Sequence, residues 1–160
     1  MAKPRFFQYD RTTDRQIWLL ELDTLPVTLD LDDLHQQKFV CLCVMDASPI
    51  SSDALAGFCS QLIDRGCAYF CAWGPDCERL HDIMDQRVIG DNPPETDIGC
   101  LMTTWHARES LAEAVDFFLT CTVPDEEYAP AGCPFGLAVA IGSPSCAIEM
   151  EEHIRRGLAP

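Results

Sequence analysis

Four short apolar runs punctuate the chain, at Phe39–Met45, Cys67–Ala72, Ile98–Thr103 and Phe135–Ile141. They lack the strict apolar/polar alternation of a half-exposed strand, which suits strands covered on both faces. Each run is followed by a polar corner and then by apolar positions at helical spacing. After the first, Ser51 and Ser52 offer N-caps, Leu55, Phe58, Cys59, Leu62 and Ile63 share one face, and Gly66 supplies a stop. After the second, Gly74-Pro75 opens a helix with proline at its first position and an inner stripe of Cys77, Leu80, Ile83 and Met84. After the third, Thr104 is placed to cap a helix facing inward through Ala107, Leu111, Ala114, Val115 and Phe118. After the fourth, Ser143-Pro144 starts a last helix that carries Arg155 and Arg156 in its final turn and Gly157 as its stop.

This alternation predicts a mainly parallel sheet built from right-handed crossovers, with helices on both faces. The expected fold is α/β and doubly wound, flavodoxin- or Rossmann-like in plan, with four core strands in the order 2-1-3-4 or, as the alternative, 3-2-1-4. Residues 1–38 read differently, as an N-terminal β extension packed on an α/β domain of residues 39–160. Within it, Gln16–Asp23 and Val27–Leu31 suit one or two strands at a sheet edge, separated by Thr24-Leu25-Pro26. Leu29, Leu31 and Leu34, interleaved with acids, suit instead a short helical turn. Two loops stand out, Gly90–Asp97 and the longer Pro124–Pro134, the latter of a length that commonly carries function.

Composition narrows the classes. A chain of 160 residues fits one domain, and no segment reaches the length of a membrane span. The basic residues at its start lack the apolar core of a signal peptide, which points to the cytoplasm. Ten cysteines would suggest a disulfide framework in a secreted protein, but Cys41, Cys43, Cys67, Cys71 and Cys100 sit inside the apolar runs and no Cys-x-x-Cys occurs. Reduced thiols in a cysteine-rich core are expected, with no zinc site. The net charge of -15, from 26 acidic against 11 basic residues, disfavours non-specific nucleic-acid binding. It suits solubility or an acidic face for a basic protein partner.

Ligands of open α/β sheets bind beyond the carboxyl ends of strands, near the point where strand order reverses. The polar residues at those ends are therefore the candidates. Asp46, Cys77 and His106 suggest an orienter, a thiol at a helix N-terminus and a general base. Ser48, Trp73, Asp76, Thr103, Thr104, Trp105, Ser143 and Ser145 would line a pocket, the serines offering an anion site or simply helix caps. His81 and Asp85 lie one helical turn apart and suit a solvated face rather than a metal site. No Gly-x-Gly-x-x-Gly, P-loop or Gly-x-Ser-x-Gly motif is present, so no cofactor is expected.

Two functional readings follow. The first is a small acidic cytosolic module that binds or regulates a protein with a basic surface, without catalysis, through its acidic patches and the Pro124–Pro134 loop. The second is a hydrolase or transferase using Asp46, Cys77 and His106. Neither involves a membrane. An edge strand from the first 31 residues leaves room for a homodimer.

Overall fold

A computed structural model describes residues 1–90 and 100–160. In chain order the elements are β1 (Arg5–Asp10), β2 (Arg15–Leu22), β3 (Phe39–Met45), α1 (Ser52–Asp64), β4 (Cys67–Trp73), α2 (Cys77–Ile89), β5 (Met102–Trp105), α3 (Leu111–Thr120), β6 (Phe135–Ile141) and α4 (Pro144–Gly157). The six strands form one sheet in the order β1-β2-β6-β3-β4-β5. All neighbours run parallel except β1, which is antiparallel to β2. The protein is thus α/β, with a mostly parallel six-stranded sheet and four helices among the described residues.

The four apolar runs take the order 3-2-1-4, the alternative rather than the first expectation of 2-1-3-4. The reason lies in where α3 travels. Helices α1 and α2 cover one face of the sheet, whereas α3 lies across β3 and β4 on the other. The chain thereby crosses beneath β4 and β3 and adds β6 on the far side of β3.

Strands β3 and β6 are buried along their whole length, which is why their sequences do not alternate. Phe39, Cys41, Cys43 and Met45 face α1 and α2, while Val40, Leu42 and Val44 face α3 and α4. All ten cysteines are free and seven of them are buried.

Several expectations are corrected. Strand β1 is not marked by any alternation, because a bulge between Phe6 and Gln8 interrupts its pairing with β2. Val27–Leu31 is not a strand. Leu25, Leu29, Leu31 and Leu34 instead bury themselves in the core layer that includes Leu20, Leu22 and Phe135, with a turn of 3-10 helix at Asp32–Leu34. The Gln61 side chain of α1 supports this segment, accepting from the Leu29 N–H at 2.8 Å and donating to the Val27 carbonyl at 2.9 Å.

The third strand begins at Met102, later than its apolar run. Ile98, Gly99 and, apart from Gly90, the Gly90–Asp97 loop lie outside the described residues. Thr104 therefore belongs to β5, and Ser110 caps α3 in a reciprocal capping box with Glu113. Pro75 does not open α2. Asp76 takes a left-handed conformation (φ 60°) and the helix starts at Cys77.

Candidate functional site

The five parallel strands, β2 to β6, bring their carboxyl ends to one rim, and strand order reverses at β3 and β6. This is where a doubly wound sheet would hold a ligand. Most of the rim's polar groups are engaged in building it.

Asp46 is exposed and accepts from the Ser48 N–H at 2.9 Å. The Ser48 hydroxyl and N–H together hold its carboxyl below the ordinary carboxylate range. The turn is then crossed by the loop after β4. Ala47 N–H donates to Pro75 O at 3.0 Å, and Gly74 (φ +118°) lies so close that a Cβ there would sit 2.0 Å from the Met45 carbonyl oxygen.

Arg79, which no sequence signal singles out, pins the same turn. Its guanidinium donates to the carbonyls of Ala47 and Ile50 and to the Ser52 hydroxyl, braced by Asp76 at 2.7 Å. Trp73 Nε1 donates to the Glu109 carbonyl at 2.9 Å. Ser143 caps α4 by accepting from Cys146 N–H at 3.2 Å, with the Ser145 hydroxyl 3.1 Å from its own.

Asp46, Cys77 and His106 do not form a relay. Cys77 is buried on the α2 side of the sheet. Burial raises its thiol above the ordinary value, although N–H groups of His106, Cys77 and Gly74 oppose that rise. The imidazole of His106 goes the other way. Its ring packs on Phe117 of α3 at 4.7 Å, its Nε2 lies 2.9 Å from Thr104 Oγ1 and its Nδ1 lies 2.8 Å from Glu109 Oε2. Successive residues of an extended chain face opposite sides, so backbone neighbours here have side chains in different layers.

That alternation creates two hydroxyl–imidazole–carboxylate groupings from Thr103-Thr104. Thr104 reaches His106 and thence Glu109. On the α2 side, Thr103 Oγ1 lies 3.0 Å from His81 Nε2 and donates to Asp85, while His81 Nδ1 meets Asp82 at 3.0 Å. Trp105 lies against His81 with ring centroids 4.4 Å apart. His81 is therefore buried rather than on a solvated face. The i, i+4 spacing of His81 and Asp85 was visible; the strand register that adds Thr103 was not. No group of three metal-ligating side chains occurs among the described residues.

None of the eleven candidate residues lines the cavities of about 220 to 520 Å³ found among the described residues. What the rim does present is negative charge. An acid follows each of four strands (Asp23, Asp46, Asp76 and Glu109), and Asp53 and Glu78 stand in the first turns of α1 and α2. Of these, only Asp76 meets an arginine or lysine among the described residues.

Sheet and rim define a mainly parallel α/β domain with an acidic carboxyl end. The chain belongs to the family described as Domain of unknown function (DUF7684), which it matches over residues 18–155, from within β2 to within α4. No curated protein matches the chain. No helix among the described residues is long and apolar enough to cross a membrane.

Proposed function

We propose that the chain is a non-catalytic cytosolic binding module of Rossmann-like plan, whose acidic rim receives the basic surface of a protein partner. The observation that carries this reading is the row of acids at four strand exits. Helix N-termini elsewhere attract phosphate; here carboxylates already occupy the first turns of α1 and α2 and would repel it. Lysine and arginine are the groups such a field draws in, with an attraction that weakens as salt rises. The Pro124–Pro134 loop precedes β6 and so lies at the opposite end of the sheet, which favours the rim over the loop as the contact.

The test is fluorescence anisotropy with a labelled lysine/arginine-rich peptide at low salt. Neutralising Asp23→Asn, Asp46→Asn and Glu78→Gln together should weaken binding about tenfold or more, at roughly 0.5–1 kcal/mol for each exposed charge. Neutralising Glu126, Glu127 and Glu149 should have little effect. Equal losses in the two variants, or no binding by the parent, would refute the reading.

A second reading, hydrolase or transferase, is favoured by the Thr104–His106–Glu109 row alone. With Nδ1–H donating to the Glu109 carboxylate, neutral His106 presents Nε2 as an acceptor to the Thr104 hydroxyl. Turnover of ester substrates that survives Thr104→Val would remove it.

A further inference from the structure

We infer that the outer edge of β1 is a self-complementary seam through which two copies of the chain pair into a dimer. This surface is distinct from the acidic rim and stands whether or not the rim binds a partner.

Strand β1 ends the sheet, so among the described residues no further strand pairs with its outer side. Such an edge is a template for another strand, and proteins commonly blunt it with proline, lysine, extreme shortness or a bulge; here the bulge between Phe6 and Gln8 sets the register of the edge. The six residues Arg5-Phe6-Phe7-Gln8-Tyr9-Asp10 contain neither proline nor lysine. Two large side chains flank the edge in water, Phe6 at 51% and Tyr9 at 44% exposure.

The sequence of this strand fits its own reversal. About a two-fold axis between Phe7 and Gln8, Arg5 falls opposite Asp10 of the second copy and Phe6 opposite its Tyr9. A regular strand would put residues three or five apart on opposite faces, and the match would fail. The bulge between Phe6 and Gln8 adds the missing step. Phe6 pairs with Trp18 of β2 and Tyr9 with Gln16. Trp18 and Gln16 are two apart, so Phe6 and Tyr9 share a face. Likewise Arg5 pairs with Leu19 and Asp10 with Arg15, which share the other. The seam would therefore carry an aromatic pair at each end of one face, extended by Trp18, whose ring already meets Phe6 edge-on at 5.7 Å. On the opposite face Arg5 is already paired with Glu151, and buried Asp10 accepts from the Thr12 N–H and Thr13 hydroxyl, so the aromatic face carries the seam. Cross-strand aromatic pairs are among the contacts that stabilise antiparallel neighbours.

Charge also favours this edge. Two copies of a -15 chain repel. The first 15 residues, however, hold Lys3, Arg5, Arg11 and Arg15 against only Asp10 and Asp14, so the β1–β2 hairpin is locally basic. Pairing about a two-fold axis also uses both edges at once, so assembly closes at two copies rather than growing into a filament.

The experiment is sedimentation of the full chain from micromolar to millimolar concentration, with Phe6→Glu and Tyr9→Lys made separately. The parent should form a species of twice the 17.8 kDa chain mass. Each substitution alone should weaken it about tenfold or more, since like charges or an unpaired charge then face the seam. An equimolar mixture of the two variants should form a mixed dimer in preference to either self-pair, because the introduced carboxylate and ammonium face each other. Both positions are half exposed, so circular dichroism of each variant should match the parent. A further measurement needs no variant: amide exchange at Arg5–Asp10 should slow as parent concentration rises. A parent that stays monomeric, a dimer indifferent to both substitutions, a mixture without preference, or exchange independent of concentration would each overturn the seam.

Discussion

Raising the pH from about 7 towards 10 is expected to unfold the domain through its buried thiols. Cys41, Cys43, Cys59, Cys67 and Cys71 are enclosed between the sheet and its helices. Burial pushes each of them up from the ordinary value of 9.0, Cys59 and Cys71 to about 12. An unfolded chain ionises these groups near the ordinary value, while the folded chain holds them neutral. A raised folded value means that this stability is complete below the unfolded pKa and is lost as pH climbs from about 9 to about 12. One unit above the unfolded pKa, each thiol costs on the order of 1 kcal/mol. Five such thiols together are comparable with the whole stability of an ordinary domain, about 5–15 kcal/mol. The assay is urea unfolding followed by circular dichroism, under reductant, at a series of alkaline pH values. The midpoint should fall steeply above pH 9, and Cys43→Ala with Cys71→Ala should flatten that fall by about two-fifths. A midpoint unchanged between pH 8 and 10 would refute the reasoning.

The other predictions concern the rim and the thiols. Gly74→Ala should cost about 3 kcal/mol or more in urea unfolding, because it adds a backbone clash to the strain of a left-handed alanine. Gly132→Ala, at φ +78° with open space around it, should cost only about 1 kcal/mol, and equal losses would undermine the tight crossing at Met45. Arg79→Met should lose about 2–3 kcal/mol by leaving the Ala47 and Ile50 carbonyls without their charged donor, and a loss below about 0.5 kcal/mol would show the turn holds without it. Iodoacetamide near neutral pH should label the exposed Cys100 and Cys121 well before the buried Cys77, as read by peptide mass spectrometry. A Cys77 that reacts as fast as Cys121 would restore the nucleophile reading.

The elements that could be read along the chain are those buried on both sides or held by strong caps. Phe39–Met45 and Phe135–Ile141 match β3 and β6 residue for residue, and Ser51 and Ser143 cap α1 and α4 as their positions suggest. Periodicity failed where tertiary context decides. The bulge hides β1. Leu29, Leu31 and Leu34 are apolar because they line a buried layer, and their sheet-like pairing is limited to an isolated bridge between Leu29 and Ala2. Pro75 lost its expected role to Asp76, whose left-handed turn delays α2. At the rim, the sequence offered His106 and Cys77 as neighbours in the chain's order of loops, and they are neighbours in the backbone. Cys77 enters the α2 layer because α2 carries it, whereas the alternation along β5 sends the His106 ring to α3, and this separates the thiol from the imidazole. Arg79 was equally unreadable, since its targets are carbonyls and carbonyls carry no sequence signature.

Because β6 slots between β2 and β3, the middle of the sheet is contributed by a strand that is synthesised after both of its neighbours. Until Phe135–Ile141 emerges, the nascent molecule holds two fragments, the β1–β2 hairpin and the β3–β4–β5 block, each with an unsatisfied hydrophobic margin. Translation that stops short of that stretch leaves nothing to join them, and both margins become sites for aggregation.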